Sequence, residues 1–497
     1  MFALSPLARG NSSATRSAIA AKPARRTPAA LCGGCAGVES GRRSPSAPAR
    51  YNRSVATTFV LAVDVGAGSL RAGLVDARGR VRIAAAEALV VREPRPGFAE
   101  IDPGLWWRAL RLAFVRVLRD LPRRGRIAAI CICGLTRTQV LLDRQRRPIG
   151  PAIAFRDTRA ASIAREFPGS TAFDLKPRLA WVARHQPRRF ERVDLVVEPR
   201  EFLAGELTGE FTAGLAPWQC VGQVRGDRAR PLAGIPVFAG SMDTWACAVG
   251  AGAVLPGDAY DIAGTSEAIG LVTAQPARAP GLVSLPWTGD AHQVGGPTQA
   301  GADCVVWCHA AFRVRGPLVR ALERVGRGPL RADAPVFLPY LAGERAPVWN
   351  SEVRGAFHGI ARASAPDDFL WSVLEGVAFA VRDVLEVAQD GSGTRAGALR
   401  VAGGGARSDA WCRMKADVTG LPVLRSAEAE TGLVGAAMAA TVGLGLAPGI
   451  AAAASAMATR FRRFEPRRAR HDAHCARFAR FRRIKQSALA LAAGGPA

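Results

Sequence analysis

One pattern occurs twice in this 497-residue chain and constrains its fold more than any other. A continuous apolar run, Thr58–Val63, enters Asp64-Val65-Gly66-Ala67-Gly68-Ser69-Leu70-Arg71, and a second apolar stretch follows to Asp76. A polar turn at Ala77–Arg80 and a third run through Val91 complete a β-meander whose first turn is glycine-rich. In the second half Asp261–Ser266 again reads as strand, glycine turn and strand. Two halves that open this way predict a duplicated α/β unit with a cleft between the copies. An acid at a strand end beside free backbone N–H groups suits a divalent cation and a phosphate. The same residues also suit a hairpin with an ordinary turn Asp.

The other elements fit an α/β order. Asp102-Pro103 predicts a helix start, with Asp as N-cap and Pro in the first turn. Its stripe is Trp106, Leu110, Ala113, Phe114, Val117, Leu118 and Leu121. Ile127–Cys133 reads as a strand running into the polar cluster Gly134–Gln139, and polar groups at strand ends of such a sheet tend to face the ligand crevice. Asp243 sits among small residues, and Gly264-Thr265-Ser266 follows between two apolar runs. An isolated carboxylate ahead of a glycine–hydroxyl turn suits a base beside a phosphate cradle, or a buried, capped Asp. Pro366–Gln389 has helical spacing. Leu399–Ala402, Gly403–Ser408 and Asp409–Val418 then give strand, glycine loop and helix, a setting for a nucleotide or an ordinary turn.

Charge tests a different class of function. The formal charge is +26, almost all of it arginine, lysine occurring only at 22, 176, 415 and 485. The ends hold most of it: residues 1–58 carry +8 and 459–497 carry +9, leaving +9 across the middle four hundred. That middle has no aromatic-interleaved basic repeat, finger spacing or RNA-binding signature, so no specific nucleic-acid partner is expected. The first 57 residues, rich in Ala, Ser, Arg and Pro, fit an organellar transit peptide or an over-extended start, and read foremost as a disordered extension. Cys32 and Cys35 lie in it with no second pair, and no redox or zinc role is expected of them. Cys304, Cys308 and His309 read as core. The other cysteines are scattered, as in a reducing cytoplasm. Thr431–Thr459 is uncharged but mostly Ala and Gly, broken by Pro448, and reads as a buried helix pair; no membrane span is expected.

Taken in order, several blocks resemble the FGGY family of carbohydrate kinases. They are Asp64-x-Gly66-x-x-Ser69-x-Arg71, Gly97–Pro103, Pro151–Arg159, Leu207–Glu210, Gly240–Asp243 and Gly264–Ser266. In the second half they are Phe337–Pro347, Leu374-Glu375-Gly376, and Gly403–Ser408 with Ala416-Asp417. The resemblance spans roughly residues 58–485 and implies an α/β fold of two actin-like, ribonuclease-H-like ATPase domains with an interdomain cleft. The expected units are 1–57, the N-terminal extension; 58–252, a sugar-binding domain; 253–458, a nucleotide-binding domain; and 459–497, a basic and partly helical segment.

By the same resemblance the chain is an ATP-dependent kinase of a small sugar or polyol, with ATP and Mg²⁺ as cofactors. Asp243 is the implied general base and Asp64 the implied metal ligand. Gly66, Ser69, Arg71, Gly264, Thr265, Ser266, Gly301, Gly404 and Ser408 fall at nucleotide-contacting positions. Glu100, Thr136 and Arg137 fall on the substrate side. Thr136-Arg137 stands where pentulose kinases have Met-His and glycerol kinases Arg-Glu. A sugar, a polyol or a sugar acid all stay open, with a pentulose such as xylulose foremost; a homodimer is open as the assembly. Two departures stand out. Ala67 replaces a usual Thr, and the stretch between Gly209 and Pro236 is shorter than the family's by roughly thirty residues. They leave a second reading, a kinase-like protein that binds nucleotide or sugar without turnover.

Overall fold

Strand Thr57–Val65 is exposed for two residues and then buried to its end, the pattern of a strand covered on both faces. It pairs antiparallel with Ser69–Asp76 and parallel with Gly125–Gly134. The computed structural model describes residues 57–457 and 460–494. Residues 1–56, including Cys32 and Cys35, lie outside the described residues. The first sheet has the order Val81–Ala88, Ser69–Asp76, Thr57–Val65, Gly125–Gly134, Pro236–Met242, Cys220–Gln223. The second has the order Val283–Pro286, His292–Pro297, Glu267–Thr273, Asp258–Ala263, Ala398–Ala402, Val423–Ser426, Phe461–Phe464. Asp258–Ala263 holds the place in it that Thr57–Val65 holds in the first. It too is antiparallel to its successor and parallel to a later strand. The duplication predicted from the two glycine turns is present in the topology.

The predicted helices form. Asp102 caps helix Pro103–Arg119, its Oδ1 accepting the Gly104 N–H at 2.9 Å, and Trp106, Leu110, Ala113, Phe114 and Val117 are buried along one face. Leu121 lies beyond the helix end. Helix Pro366–Ser392 runs three residues past the expected end, to Gly393 in the left-handed region (φ 66°). The uncharged stretch after Thr431 forms two helices, Thr431–Gly443 and Ile450–Ala456. No helix among the described residues is long and apolar enough to cross a membrane.

Helices Asp243–Gly250 and Thr431–Gly443 cross where the two sheets meet. Leu433, Val434, Ala436 and Ala437 share one apolar cluster with Val60, Ala62 and Ala129 of the first sheet and with Tyr260 and Val272 of the second. Glycine makes the crossing close. A Cβ at Gly250 would stand 1.9 Å from the Thr431 carbonyl oxygen, and one at Gly435 would stand 2.0 Å from that of Ala246. Backbone cannot give way as a flexible side chain can, so Gly435→Ala is expected to cost about 1–3 kcal/mol. Urea unfolding would show it as a lowered midpoint, and an unchanged midpoint would mean that the helices part freely.

The segment between Gly209 and Pro236 supplies the edge strand Cys220–Gln223, antiparallel to Pro236–Met242. The first sheet is therefore closed on that side despite the short connection. The basic C-terminal residues also belong to the fold. Phe461–Phe464 is an edge strand of the second sheet, and helix Arg468–Ala492 buries His474, Arg477, Phe478 and Phe481. Three of its seven Lys and Arg side chains meet carboxylates: Arg477 with Glu375 at 2.7 Å, Arg482 with Glu386 at 3.6 Å, and Lys485 with Asp383 at 2.7 Å. Arg462 likewise meets Asp409 at 2.6 Å. Charge held this way adds little to any attraction for polyanions.

Candidate active site

Three neighbouring strands of the first sheet end together. Val65 and Met242 are both in register with Gly134, so Asp64, the Thr136-Arg137 pair and Asp243 emerge at one edge of parallel strands. Such an edge is where α/β sheets present ligand-binding loops. Asp64 is buried, and Gly432 of the crossing helix leaves it room: a Cβ there would stand 2.6 Å from Asp64 Oδ2. Burial pushes the Asp64 carboxyl up to about 7, Asp243 adds to the rise, and Arg71 and the Cys133 thiol oppose it. Asp243 opens helix Asp243–Gly250, and its Oδ1 accepts the Thr244 N–H at 2.8 Å. Its carboxyl is raised by burial, opposed by the Thr244 hydrogen bonds and supported by Glu198. Two neighbouring carboxyls whose proton affinity burial raises suit a cation.

Glu198 organises the Thr136-Arg137 pair. Its Oε1 accepts from Thr136 Oγ1 at 2.8 Å and from the Arg137 N–H at 2.8 Å. Arg178 donates to the Arg137 carbonyl at 2.6 Å. Arg137 is thereby held in the left-handed region (φ 53°), a strained conformation for a residue with a side chain. Glu100 stands apart from this group. It accepts from Arg159 Nη2 at 2.8 Å, and Arg159 also grips the fully buried Asp157. Arg71 pairs with Glu430 at 3.4 Å.

Each glycine turn is closed by its leading glycine, over Gly66–Ser69 in the first and over the tighter Gly264–Ser266 in the second. The Gly66 N–H bonds to the Ser69 carbonyl at 2.9 Å, and the Gly264 N–H to the Ser266 carbonyl at 3.1 Å. Gly301 packs on the second turn so tightly that a Cβ would stand 2.4 Å from the Thr265 carbonyl oxygen. Arg345 Nη2 donates to Ser266 Oγ at 3.0 Å and to the Thr298 carbonyl. Burial draws the Arg345 guanidinium down; Glu344 opposes that, Arg137 adds to it, and Asp303 opposes it.

Beside the second turn, Ser408 caps helix Asp409–Thr419, its Oγ accepting the Trp411 N–H at 3.3 Å. Gly404 leaves open space, with nothing within 4 Å of where a Cβ would be. A cavity of about 440 Å³ opens there, walled by Gly404, Gly405 and Ser408 on one side and Val305, Val319 and Leu322 on the other. A helix N-terminus facing an apolar wall suits the phosphate and base ends of a nucleotide.

Models of both domains of the FGGY family of carbohydrate kinases match, the N-terminal domain over residues 59–216 and the C-terminal domain over 259–444. The chain belongs to the FGGY family of carbohydrate kinases. It is therefore a phosphotransferase with an alcohol group as acceptor, and its two α/β halves are actin-like domains. It is 29% identical to the xylulose kinase of Escherichia coli over 424 residues, covering 72% of this chain and 84% of that protein. It is 27% identical to the L-xylulose/3-keto-L-gulonate kinase of E. coli, covering 78% and 89%. The ligand-bound xylulose kinase from Lactobacillus acidophilus has the same fold, with a TM-score of 0.79 at 19% identity over 87% of this chain and 99% of that one.

Some residues near this FGGY site gave no sign of it in sequence. Glu198 stands at the N-cap of helix Pro199–Thr208, and its side chain serves Thr136-Arg137. Val305, Val319 and Leu322 carry helical spacing, which marks a face but not a cavity wall.

Proposed function

We propose that the protein transfers the γ-phosphoryl group of ATP to a hydroxyl of a small sugar or polyol, with Asp243 as general base. Xylulose is the first acceptor to test, because the relatives at 27–29% identity include kinases of xylulose. The observation that carries the proposal is the meeting of Asp64 and Asp243 at one strand edge, beside the first glycine turn and next to the helix that joins both sheets.

The proton bookkeeping follows from the geometry. Thr244 holds Asp243 Oδ1, which leaves Oδ2 for the acceptor hydroxyl. A carboxylate made more basic by burial takes that proton as the oxygen bonds to phosphorus. Residues 58–252 would present the acceptor, and residues 253–458 the nucleotide. The turns at Gly66–Ser69 and Gly264–Ser266 would offer backbone N–H groups to the phosphates, with Arg71 nearby. Gly301, Gly404 and Ser408 would border the nucleotide. In-line transfer depends mostly on such positioning and on charge neutralisation.

Mg²⁺ fits Asp64. The group is a hard oxygen donor whose buried carboxylate gains by facing a cation. Among the described residues no group of three or more His, Cys, Asp and Glu is placed to hold an ion. When bound, Mg²⁺ supplies charge neutralisation at the phosphates.

Coupled ADP release over pentuloses, hexuloses, polyols and aldonates tests the proposal. Acceptor-dependent ADP release is expected. ATP binding without release for any acceptor would overturn it in favour of a non-catalytic kinase-like binder.

A further inference from the structure

Arg178, on helix Leu175–His185, is 1% exposed, and its guanidinium donates to seven oxygens, none of them a carboxylate. Nη1 donates to the Arg137 carbonyl at 2.6 Å and to Gln139 Oε1. Nη2 donates to the carbonyls of Ala154 and Asp157, each at 2.9 Å, and Nε to that of Ala172 at 3.1 Å. The Ile153 and Phe155 carbonyls lie at 3.5 and 3.4 Å.

Packing alone does not account for such a residue. A buried cation is costly to desolvate, and an apolar side chain of similar volume serves a core at least as well. Burial draws the Arg178 guanidinium down to about 10, with Asp157 opposing, so it keeps its charge at neutral pH. What that charge does is join two loops. The first leaves the strand edge that also carries Asp64 and Asp243. In it the Arg137 peptide is gripped from both sides, its carbonyl by Arg178 and its N–H by Glu198 at 2.8 Å, and is held at φ 53°. The second is the Ala154–Asp157 bend, where the Asp157 N–H donates to the Ala154 carbonyl at 3.0 Å. Gln139 and Ile153 exchange both backbone hydrogen bonds, at 2.9 and 3.0 Å, so the two loops run side by side.

We infer that Arg178 is a positioning residue for the acceptor, fixing the Thr136-Arg137 peptide and the Ala154–Asp157 bend as one wall beside the strand edge of Asp243. This rests on the kinase reading of that edge and adds to it a residue that acts only through the two loops. Arginine suits the task because its planar fork offers five N–H groups in fixed directions. Arg178→Lys keeps the charge and part of the grip, whereas Arg178→Met keeps the stem and none of it.

Steady-state kinetics with xylulose as the probe, and hydrogen exchange on the unliganded protein, test this. Arg178→Met is expected to raise the KM for xylulose about tenfold or more and to leave the KM for ATP within about twofold, with Arg178→Lys recovering part of the loss. Exchange at amides 136–139 and 153–159 is expected to speed about tenfold in both variants relative to the amides of Gly66–Ser69. If Arg178→Met does not fold, Arg178→Lys against the parent carries both comparisons. A residue that only supports the fold would lower kcat with both KM values unchanged, or speed exchange evenly along the chain. Either result overturns the inference while the kinase reading stands. A parent that releases no ADP with any acceptor removes the kinase reading instead, and the exchange ratio then decides whether Arg178 fixes the wall.

Discussion

Asp243→Asn is expected to lower phosphoryl transfer by about 10²–10⁴-fold, the range for loss of a positioned general base, while ATP binding persists. The substitution is nearly isosteric, and the amide oxygen can still accept the Thr244 N–H that Asp243 Oδ1 accepts at 2.8 Å. Helix Asp243–Gly250 therefore keeps its start, and the close crossing at Gly250 and Gly435 is undisturbed. The cavity at Gly404 and Ser408 lies against other helices, so nucleotide affinity by calorimetry should stay within about threefold. What the variant loses is the oxygen that takes the proton. The reading is discriminating because Asp64 is a second buried carboxylate nearby, with a strongly raised proton affinity. If Asp243→Asn kept activity within tenfold of the parent while Asp64→Asn abolished it, the base assignment would pass to Asp64. An Asp243→Asn protein that no longer binds ATP would instead point to a damaged fold.

How much of this was legible in the sequence depends on the range over which each feature is encoded. The turn after Asp64 and its echo after Asp261 are local, a strand end followed by glycines. The structure turns the chain back at both and repeats the strand pairing around them. The cap at Asp102 and the long helix from Pro366 are equally local. The crossing of Asp243–Gly250 with Thr431–Gly443 was not legible. Gly432 and Gly435 look like residues of a small-residue helix, and only the approach of Asp64 and of the Ala246 carbonyl gives them their reason. The C-terminal arginines read as loose charge, because their partners Glu375, Asp383 and Asp409 are distant in the chain. The short stretch after Gly209 showed a missing length. It did not show that the remaining residues still pair as the sheet edge.

The deepest feature hidden from the sequence is the third of its four lysines. Lys415 lies on helix Asp409–Thr419, where a lone lysine ordinarily points to solvent, yet it is 3% exposed. Its Nζ donates to Glu267 Oε1 at 2.6 Å and to Asp261 Oδ2, with the Trp411 ring 4.7 Å away. These three groups tie helix Asp409–Thr419 to the hairpin that carries Gly264–Ser266. Lys415→Met would leave two buried carboxylates without their cation, and removing one partner of a buried pair costs about 3–5 kcal/mol. The loss should depend on pH. Burial, with Asp261 adding and Lys415 opposing, pushes the Glu267 carboxyl up to about 8. A carboxyl raised above its unfolded value stabilises the fold at low pH, and that contribution fades as pH rises through the folded value. Without Lys415 the carboxyl rises further, so the variant should lose more stability at pH 8.5 than at pH 5.5, where Glu267 is already protonated. Adding Asp261→Asn and Glu267→Gln should recover part of the loss at pH 8.5 by removing the stranded charge. Urea unfolding at the two pH values measures this, and an equal loss at both would mean that Lys415 acts there by packing alone.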